Sequence, residues 1–486
     1  MKSFEELEHK YSRALVQLGD PAAAGFLTLA RDKTEVVLSR AGTFDVKTDG
    51  NGWLELEISE SAGRTILLHN ALSFGVSTYA GPAGRTSELR LFPNVVIFNA
   101  KGLGPGHTLS YISFRLGQLS KFFHYNLIEH FNSDALTPEA KGHFLQARHK
   151  NLAESPFRPM DVYLIHHAPR FFKFFLHDKY YEVWAGGTRG GGSSEQLRVS
   201  IEPTCTITFR APTSINDAIA SMWEAKRFFE QLAMRRLSIT VISGGWGRLG
   251  RNPVDIYLPT AKKESSRMGY PFHPANMPYR SWKDRRAFAS MMRNWLERQT
   301  ERRQFRVLLG RVIEEIEDSA SPDLVVQLCG AIENLPGLGT SPGVSGEEIK
   351  VMAEAAYRAA TERNVDVSLN RLNGALSTLS KPGFVGRLHA LLDGMSHIVR
   401  DREARVSLAE KIKLFRGIGA HGQSFRDEIF PHLVPTLEAF ACLCSLYDFE
   451  TCGASLASQP SVARFMLSQA MDDLKRASAK AVSAPI

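Results

Sequence analysis

The chain has 486 residues, 43% of them hydrophobic and 23% charged, and 59 basic against 51 acidic residues give a formal net charge of +8. This length predicts two or three domains. No run of about 20 apolar residues occurs, which argues against a membrane span, and the charged N-terminus has no apolar signal core. We therefore expect a cytoplasmic protein with no membrane partner, whose five cysteines are reduced core thiols.

A short helix is predicted over residues 4–18. After it, short runs of β-branched and aromatic residues are separated by Gly, Asp and Asn, which is typical of antiparallel strands. One helix, at residues 214–235, interrupts this series. Many short strands around one helix predict a β-sandwich or an open barrel, and we assign residues 1–270 to this β-rich sensor or regulatory domain. The predicted strands cover residues 25–31, 34–40, 52–59, 64–72, 88–100, 108–123, 160–168, 172–186, 197–211 and 237–245.

Residues 271–302 are predicted to form a basic helical connector, which leads into the first helix of the next domain. A basic helical face is either a solvated surface or a track for the phosphates of a nucleic acid. The net positive charge is compatible with the second interpretation. The candidate RNA-binding residues are Arg285, Arg286, Arg302, Arg303 and Arg306.

Residues 303–482 show helical periodicity throughout, with Gly- and Pro-containing breaks between the segments. This pattern predicts an all-α bundle of about 180 residues. The chain as a whole is thus expected to be an α+β multidomain protein. The predicted helices cover residues 305–316, 323–335, 346–363, 383–399, 406–416, 423–446 and 462–479.

The segment KIKLFRGIGAHG, residues 411–422, contains a candidate catalytic pair, Arg416 and His421. In an unbroken α-helix, residues five apart point roughly 140° away from each other. Gly417 and Gly419 lie between the two, and glycine weakens a helix and permits positive φ. We therefore expect the helix to break there, so that both side chains face the same space.

An arginine and a histidine that face one space suit the cleavage of a phosphodiester beside a ribose 2′-hydroxyl. Histidine gives or takes a proton near neutral pH, and the planar guanidinium matches phosphate oxygens. Such a site needs no metal and no other cofactor. The alternative interpretation is that Arg416 and Gly417 end a helix and that His421 and Gly422 form a turn.

The Rx4H motif of LFRGIGAHG, residues 414–422, lies in a C-terminal helical bundle and resembles the motif of a HEPN domain. Together with the β-rich front half, this architecture looks like that of the ApeA-type anti-phage proteins of bacteria. The segments of the front half that carry the resemblance are GFLTLAR (25–31), LLHNAL (67–72) and FRAPTSINDAI (209–219). The resemblance covers most of the chain and implies that the C-terminal bundle is a HEPN domain.

The resemblance implies a metal-independent endoribonuclease that cleaves RNA, tRNA being one candidate, by attack of the 2′-hydroxyl. Its active site would form across a homodimer, where Arg416 holds the scissile phosphate and His421 transfers a proton. In a two-fold dimer both chains contribute the same surface to the interface, so an interface at the motif would bring its two copies together. The biological role would be anti-phage defence by abortive infection, with a phage protein sensed by the N-terminal domain.

One residue departs from the family pattern. Active members usually carry Asn, Asp or His after the arginine, and this chain has Gly417; Glu314 and Glu315 are candidate substitutes for that polar group. Gly417 also favours an alternative, in which the bundle dimerises without catalysis and the β domain binds a ligand or a protein. A carbohydrate-active or lectin-like protein is less favoured, because no pair of carboxylates is placed for glycoside hydrolysis.

Overall fold

The structure is a computed structural model in which sixteen stretches of the chain are described. For residues 128–131, 162–165, 170, 185–189, 199–202, 421 and 427–429 within them, it describes the backbone alone. The described stretches are residues 2–19, 23–30, 33–44, 53–60, 63–82, 84–117, 128–131, 162–165, 170–189, 199–250, 252–259, 285–316, 318–338, 345–377, 383–421 and 427–454.

The chain divides into two compact units. The first combines Met1–Ser214 with Thr240–Pro259, and the second combines Ile215–Ile239 with Thr260–Ile486. The α+β class, with an antiparallel β-rich first part and a helical second part, is confirmed. The helix predicted at 214–235 is present, but it belongs to the helical unit although its residues lie between strands of the first unit.

The first unit begins with helix α1, Phe4–Lys10, which is held by a capping box: Ser3 Oγ accepts from Glu6 N at 3.1 Å, and Ser3 N donates to Glu6 Oε2 at 2.8 Å. This helix is shorter than predicted, because residues 14–18 form a strand. The strands are β1 Ala14–Leu18, β2 Ala23–Thr28, β3 Glu35–Ala41, β4 Trp53–Glu60, β5 Thr65–Gly81, β6 Gly84–Phe98, β7 Thr108–Leu116, β8 Ile128–Phe131, β9 Val162–Ile165, β10 Arg170–Leu176, β11 Lys179–Arg189, β12 Val199–Ser214, β13 Ile239–Gly245 and β14 Val254–Tyr257.

Twelve of these strands form one sheet, in the order β10-β11-β12-β7-β13-β14-β6-β3-β2-β1-β4-β5. Strand β5 also pairs with β6, so the last six strands close into an antiparallel barrel. Strand β6 belongs to both parts of the sheet: its first half pairs with β3, where Leu91 is opposite Val36, and its end pairs with β14, where Val96 is opposite Tyr257. The predicted barrel-like architecture is therefore confirmed, and the other six strands of this sheet extend it on one side. Strands β8 and β9 pair with each other in a separate two-stranded sheet.

The predicted strands differ from the observed ones at a few places. Strands β1, β8 and β14 were not predicted, and the single strand expected at 172–186 is the hairpin β10–β11. Strand β5 continues past the predicted end at residue 72, because it pairs with β6 as far as Gly81. Strands β11 and β12 pair from Lys179 with Phe209 to Arg189 with Val199, and residues 190–198 lie outside the described residues.

The second unit is helical in its described part. Its helices are α2 Ile215–Ala233, α3 Arg285–Glu297, α4 Gln299–Glu315, α5 Pro322–Glu333, α6 Gly346–Glu362, α7 Leu369–Leu376, α8 Phe384–Gly394, α9 Arg402–His421 and α10 Leu433–Thr451, with a 3₁₀ turn at Asp427–His432 before α10. The predicted helix at 462–479 lies outside the described residues.

Within the stretches the structure describes, no helix is both long and apolar enough to cross a bilayer.

Helix α10 is the central helix of the second unit, and its side chains are buried almost all round. A helix that is apolar on every side belongs in the interior of a bundle. Helix α2 reaches the same core, where the ring of Phe228 packs edge-on against Phe288, Trp295 and Phe449 at centroid distances of 5.6–5.7 Å. These aromatic contacts are why the helix at 214–235 belongs to the helical unit.

One carboxylate lies within this apolar core. Asp448 of α10 is fully buried and accepts from Arg302 Nη1 at 2.7 Å, from Arg306 Nε at 2.8 Å and from Gln231 Nε2 at 3.0 Å. The Arg306 guanidinium also lies 3.9 Å from the ring centroid of Trp295. Burial alone would raise the pKa of Asp448, but the charges and hydrogen bonds of the two arginines outweigh it and hold that pKa below its usual value.

We expect Asp448→Asn to lower the free energy of unfolding by roughly 3–5 kcal/mol at pH 7, because it leaves two buried guanidiniums without a counter-charge. Because folding lowers the pKa of Asp448, its carboxylate stabilises the folded state at every pH above the usual pKa of an aspartate. This contribution to the free energy of unfolding is lost as the pH falls through the lowered pKa of the folded state. The difference between wild type and variant should therefore shrink below about pH 4. Urea unfolding at pH 7 and pH 3 measures it, with the exposed Asp393→Asn as control; equal stability of all three proteins at pH 7 would contradict the prediction.

Candidate active site on helix α9

The arginine and histidine of the predicted site lie on one continuous helix. Helix α9 runs from Arg402 to His421 and passes through Gly417 and Gly419 without interruption. The expected break at these glycines is therefore wrong. Five helical steps separate Arg416 from His421, so the Cα–Cβ bonds of the two residues point roughly 140° apart.

Packing explains why the helix continues through two glycines. The buried stripe of α9 is regular, at Leu408, Ile412 and Phe415, and Gly419 is the next position of that stripe. A Cβ placed on Gly419 would lie 2.9 Å from the backbone oxygen of Pro322, at the start of α5. The glycine thus permits a close approach of two helices. A helix propensity loss of about 1 kcal/mol per glycine is outweighed by the burial of the stripe.

Arg416 lies between the end of α5 and the start of α8. Its Nη2 donates to Glu333 Oε1 at 3.3 Å, and its guanidinium lies 4.4 Å from the ring centroid of Phe384. The side chains of Arg416 and Glu333 are 41% and 42% exposed, so solvent reaches both. The positive charge of Arg416 is close enough to favour the Cys329 thiolate, but burial has the larger effect. The pKa of Cys329 is therefore raised to about 12.

His421 is the last residue of α9, and its side chain lies outside the described part of the structure.

A second histidine, which was not predicted as a site residue, lies beside helix α9 near Arg416. His389 on α8 has its Nε2 at 3.5 Å from Nζ of Lys413, which is one turn before Arg416 on α9. Both His389 and Lys413 are exposed. No sequence signal joins residues 389 and 413, because only the packing of α8 against α9 brings them together.

The carboxylate beside Arg416 is also one that the sequence analysis did not name. Glu315, a candidate substitute for the missing polar group, instead accepts from Arg311 at 2.8 Å on its own helix, α4. Glu314 offers its backbone oxygen to Arg236. The acidic partner of Arg416 is Glu333, 83 residues away in the chain.

The five candidate RNA-binding arginines separate into two groups. Arg285, Arg286 and Arg303 are exposed, so their guanidiniums are accessible to a polyanion. Arg302 and Arg306 are only 4% and 2% exposed and bind Asp448 inside the bundle. The expectation that these two contact RNA phosphates is therefore wrong. In the sequence these two arginines resemble the others of the basic helical region, but in the structure they neutralise a buried acid.

All five cysteines are free and buried. Burial raises the pKa of Cys442 to about 12 and that of Cys452 to about 11, so these thiols are protonated at neutral pH. Within the described residues, no three His, Cys, Asp or Glu side chains converge in a way that would hold a metal ion.

Comparisons of the chain with protein-family models, with curated proteins and with solved structures find no match.

We expect Gly419→Ala to destabilise the protein by about 1–3 kcal/mol, because the new methyl group would overlap the backbone of Pro322. The matched control is Gly310→Ala on α4, where a Cβ meets nothing within 4 Å. That substitution should stabilise the protein by about 0.5–1 kcal/mol through helix propensity. Urea unfolding of both variants measures the difference, and an equal gain in stability from both would contradict the close packing of α9 on α5.

Proposed function

We propose that this protein is a metal-independent endoribonuclease whose active site combines helix α9 of two chains. Arg416 of one chain holds the scissile phosphate, and His421 of the second chain transfers the proton of the attacking 2′-hydroxyl or of the leaving 5′-oxygen. The observation that carries the proposal is a half-exposed arginine with an exchangeable partner, five residues before a histidine at the end of a continuous helix.

The ion pair of Arg416 favours phosphate binding, because it is weak enough to be replaced. Its N–O distance is 3.3 Å and both side chains are about two-fifths exposed. An exposed pair of this kind contributes about 0–1 kcal/mol. A phosphate offers two oxygens to the same planar fork and forms shorter, charge-assisted hydrogen bonds. A scissile phosphate can therefore displace Glu333 from the guanidinium.

The direction of the side chains favours a site shared by two chains. Arg416 and His421 diverge by roughly 140° on one helix, so a single chain does not direct both at one phosphate. A two-fold axis near the end of α9 would place the arginine of each chain opposite the histidine of the other, since the same surface patch contributes twice. The resemblance to HEPN domains supports the same arrangement.

Neighbouring basic groups add to the positive potential around Arg416. Lys413 is exposed one turn before Arg416, and His389 lies beside Lys413. A cationic surface attracts RNA and stabilises the charge that develops on phosphorus. His389 is also a second candidate for proton transfer, and it lies in the same chain as the arginine.

The wider role in the proposal is anti-phage defence in the cytoplasm. The resemblance to ApeA-type proteins supports a β-rich first unit that senses a phage protein and controls the nuclease. The net charge of +8 and the exposed Arg285, Arg286 and Arg303 support RNA as the substrate.

A second candidate function is a non-catalytic, dimerising helical module with a ligand-binding or protein-binding β unit. Two contacts favour it: Arg416 binds Glu333 of α5 and lies over Phe384 of α8. These contacts would suit an arginine that only holds three helices together. In this alternative, loss of Arg416 lowers stability, and the wild-type protein cleaves no RNA.

The decisive experiment uses mixed dimers. Chains with Arg416→Ala and with His421→Ala carry different affinity tags, are co-expressed, and the doubly tagged dimer is isolated. A composite site leaves one of two sites intact, so RNA cleavage in EDTA should be about half that of wild type. Each homodimeric variant should be inactive.

The outcomes separate the candidates. An inactive mixed dimer beside an active wild type contradicts the shared site. If His389→Ala abolishes RNA cleavage and His421→Ala does not, the proton-transfer group is His389. Absence of cleavage by wild type under every condition that supports RNA binding contradicts the nuclease and favours the non-catalytic module.

The two groups of arginines give a separate prediction. We expect Arg303→Ala to weaken RNA binding severalfold and to reduce the salt dependence by about one phosphate contact, with no change in stability. Arg306→Ala should unfold or strongly destabilise the helical unit, because it leaves Asp448 with less counter-charge. Fluorescence anisotropy of labelled RNA at two salt concentrations, together with thermal unfolding, tests both variants. If Arg303→Ala binds RNA with unchanged affinity at both salt concentrations, Arg303 on α4 does not contact RNA.

A further inference from the structure

Two glycine-rich loops of the first unit lie against each other. One is GLGPGH, residues 102–107, before β7, and the other is GWGRLG, residues 245–250, at the end of β13. Trp246 N donates to Gly102 O at 3.0 Å. A Cβ placed on Gly104 would lie 2.0 Å from Trp246 Cδ1, so the indole ring lies directly on the backbone of the first loop.

Hydrogen bonds to strand residues hold both loops in place. Gly104 N donates to the Thr108 carbonyl at 2.9 Å, which closes the first loop. In the second loop, Gly247 N donates to Ser110 Oγ at 3.0 Å and Gly250 N to the hydroxyl of Tyr111 at 3.3 Å. The backbone of both loops is therefore held in place before any ligand binds.

The fixed loops expose one indole ring and one leucine side chain to solvent. Trp246 is 49% exposed although its backbone and one ring edge are anchored. Leu249, on the same loop, is 47% exposed. Because the indole of Trp246 is already immobilised, it loses little conformational entropy when a flat ring stacks on it. Its half-exposed face is therefore suited to stacking with a nucleobase.

A histidine on the first loop is held by a carboxylate. His107 Nδ1 lies 3.3 Å from Glu55 Oε2, and the other oxygen of Glu55 contacts Nδ1 of His69. This contact orients the His107 ring and leaves its Nε2 without a hydrogen bond to any described residue. The side chain is 36% exposed, so Nε2 is available to a ligand.

The backbone around this histidine adopts unusual conformations. His107 itself has a φ of 54°, and Asn70, next to His69, has a φ of 49°. Glu55 lies at a register shift between β4 and β5, since Leu54 pairs with Ala71 but Leu56 pairs with Leu68. Bulges and left-handed residues of this kind are concentrated at binding and catalytic sites, where they redirect side chains.

An arginine completes the set. Arg248 is exposed between Trp246 and Leu249 on the second loop and makes no ion pair within the described residues. Gly104 touches Trp246, and His107 is three residues after Gly104, so its Cα lies at most about 11 Å from that of Gly104. The two contacting loops thus carry an indole ring, a guanidinium and an imidazole.

We propose that these two loops form a nucleotide-binding site on the first unit, independent of the nuclease site on α9. The base stacks on Trp246, and the phosphate accepts hydrogen bonds from Arg248 and from Nε2 of a protonated His107 ring, whose Nδ1 donates to Glu55. Glu55 is a positioning residue, which holds the imidazole. The shared chemistry is a nucleoside monophosphate, either as a free metabolite or as the 5′-phosphorylated end of an RNA.

Isothermal titration calorimetry of the full chain tests the site with adenosine monophosphate, adenosine, inorganic phosphate and a short 5′-phosphorylated oligoribonucleotide. We expect the monophosphate or the oligonucleotide to bind at least tenfold more tightly than adenosine or phosphate alone. Trp246→Ala should weaken this binding about tenfold or more, and Trp246→Phe should retain most of it. Arg248→Gln and His107→Gln should each weaken it severalfold for phosphorylated ligands and leave adenosine unaffected.

Matched controls are Phe74→Ala, which removes another exposed aromatic ring of this unit, and Arg210→Gln, which removes another exposed arginine. Both should bind as wild type does. Circular dichroism and thermal unfolding establish that each variant is folded. To separate positioning by Glu55 from a merely structural role, Glu55→Gln, which still accepts from Nδ1, should bind more tightly than Glu55→Ala at equal stability.

Binding of the monophosphate assigns a free nucleotide, and binding of the oligonucleotide alone assigns an RNA end. The proposal is overturned if none of the four ligands binds at millimolar concentration. It is equally overturned if folded Trp246→Ala and Arg248→Gln variants bind as wild type does. The monophosphate titration contains no RNA, so failure of the nuclease proposal leaves its result unchanged. An oligonucleotide signal is assigned to this site only where Trp246→Ala abolishes it.

Discussion

The contact between Gly419 of α9 and the backbone of Pro322 on α5 decides how the candidate site is arranged. At Gly419 no Cβ fits between the two helices, so α9 packs closely on α5 at this point, and α9 stays helical to His421. In a continuous helix the Cα–Cβ bonds of residues 416 and 421 point roughly 140° apart. The proposed nuclease site therefore takes its histidine from a second chain.

The bundle around this helix depends on a different kind of interaction. Asp448 is buried among apolar rings and is neutralised by Arg302 and Arg306. A buried ion pair contributes little net stability compared with apolar residues, but loss of one partner is strongly destabilising. Two arginines of the basic helical region therefore belong to the core. Of the five candidate arginines, only Arg285, Arg286 and Arg303 are exposed, so the RNA surface in the proposal is narrower than composition suggests.

Local patterns in the sequence predicted most of the secondary structure. Strand β3 and helices α2, α5 and α6 were predicted within one or two residues, because period and capping residues are local signals. The closure of the barrel through β5 and β6 and the place of α2 in the helical unit were not predictable in this way. Both depend on contacts between residues far apart in the chain.

The candidate site shows the same division. The positions of Arg416 and His421 were read from a motif, but the conformation between them was predicted wrongly. Glycine propensity favoured a break, and the buried stripe that includes Phe415 and Gly419 overrode it. Glu333 and His389 escaped prediction because helix packing alone brings them to α9. The proposed site on the first unit escaped it as well, since His107 and Trp246 are 139 positions apart in the chain (246 − 107).

The most direct measurement of the central claim is a crystal structure of the dimer with a dinucleotide whose attacking 2′-hydroxyl is removed. The account predicts a continuous α9 in each chain, with Arg416 of one chain and His421 of the other within hydrogen-bond distance of the same phosphate. A helix broken at Gly417, with both groups of one chain on that phosphate, would contradict it. So would a dinucleotide bound elsewhere while Arg416 keeps its bond to Glu333.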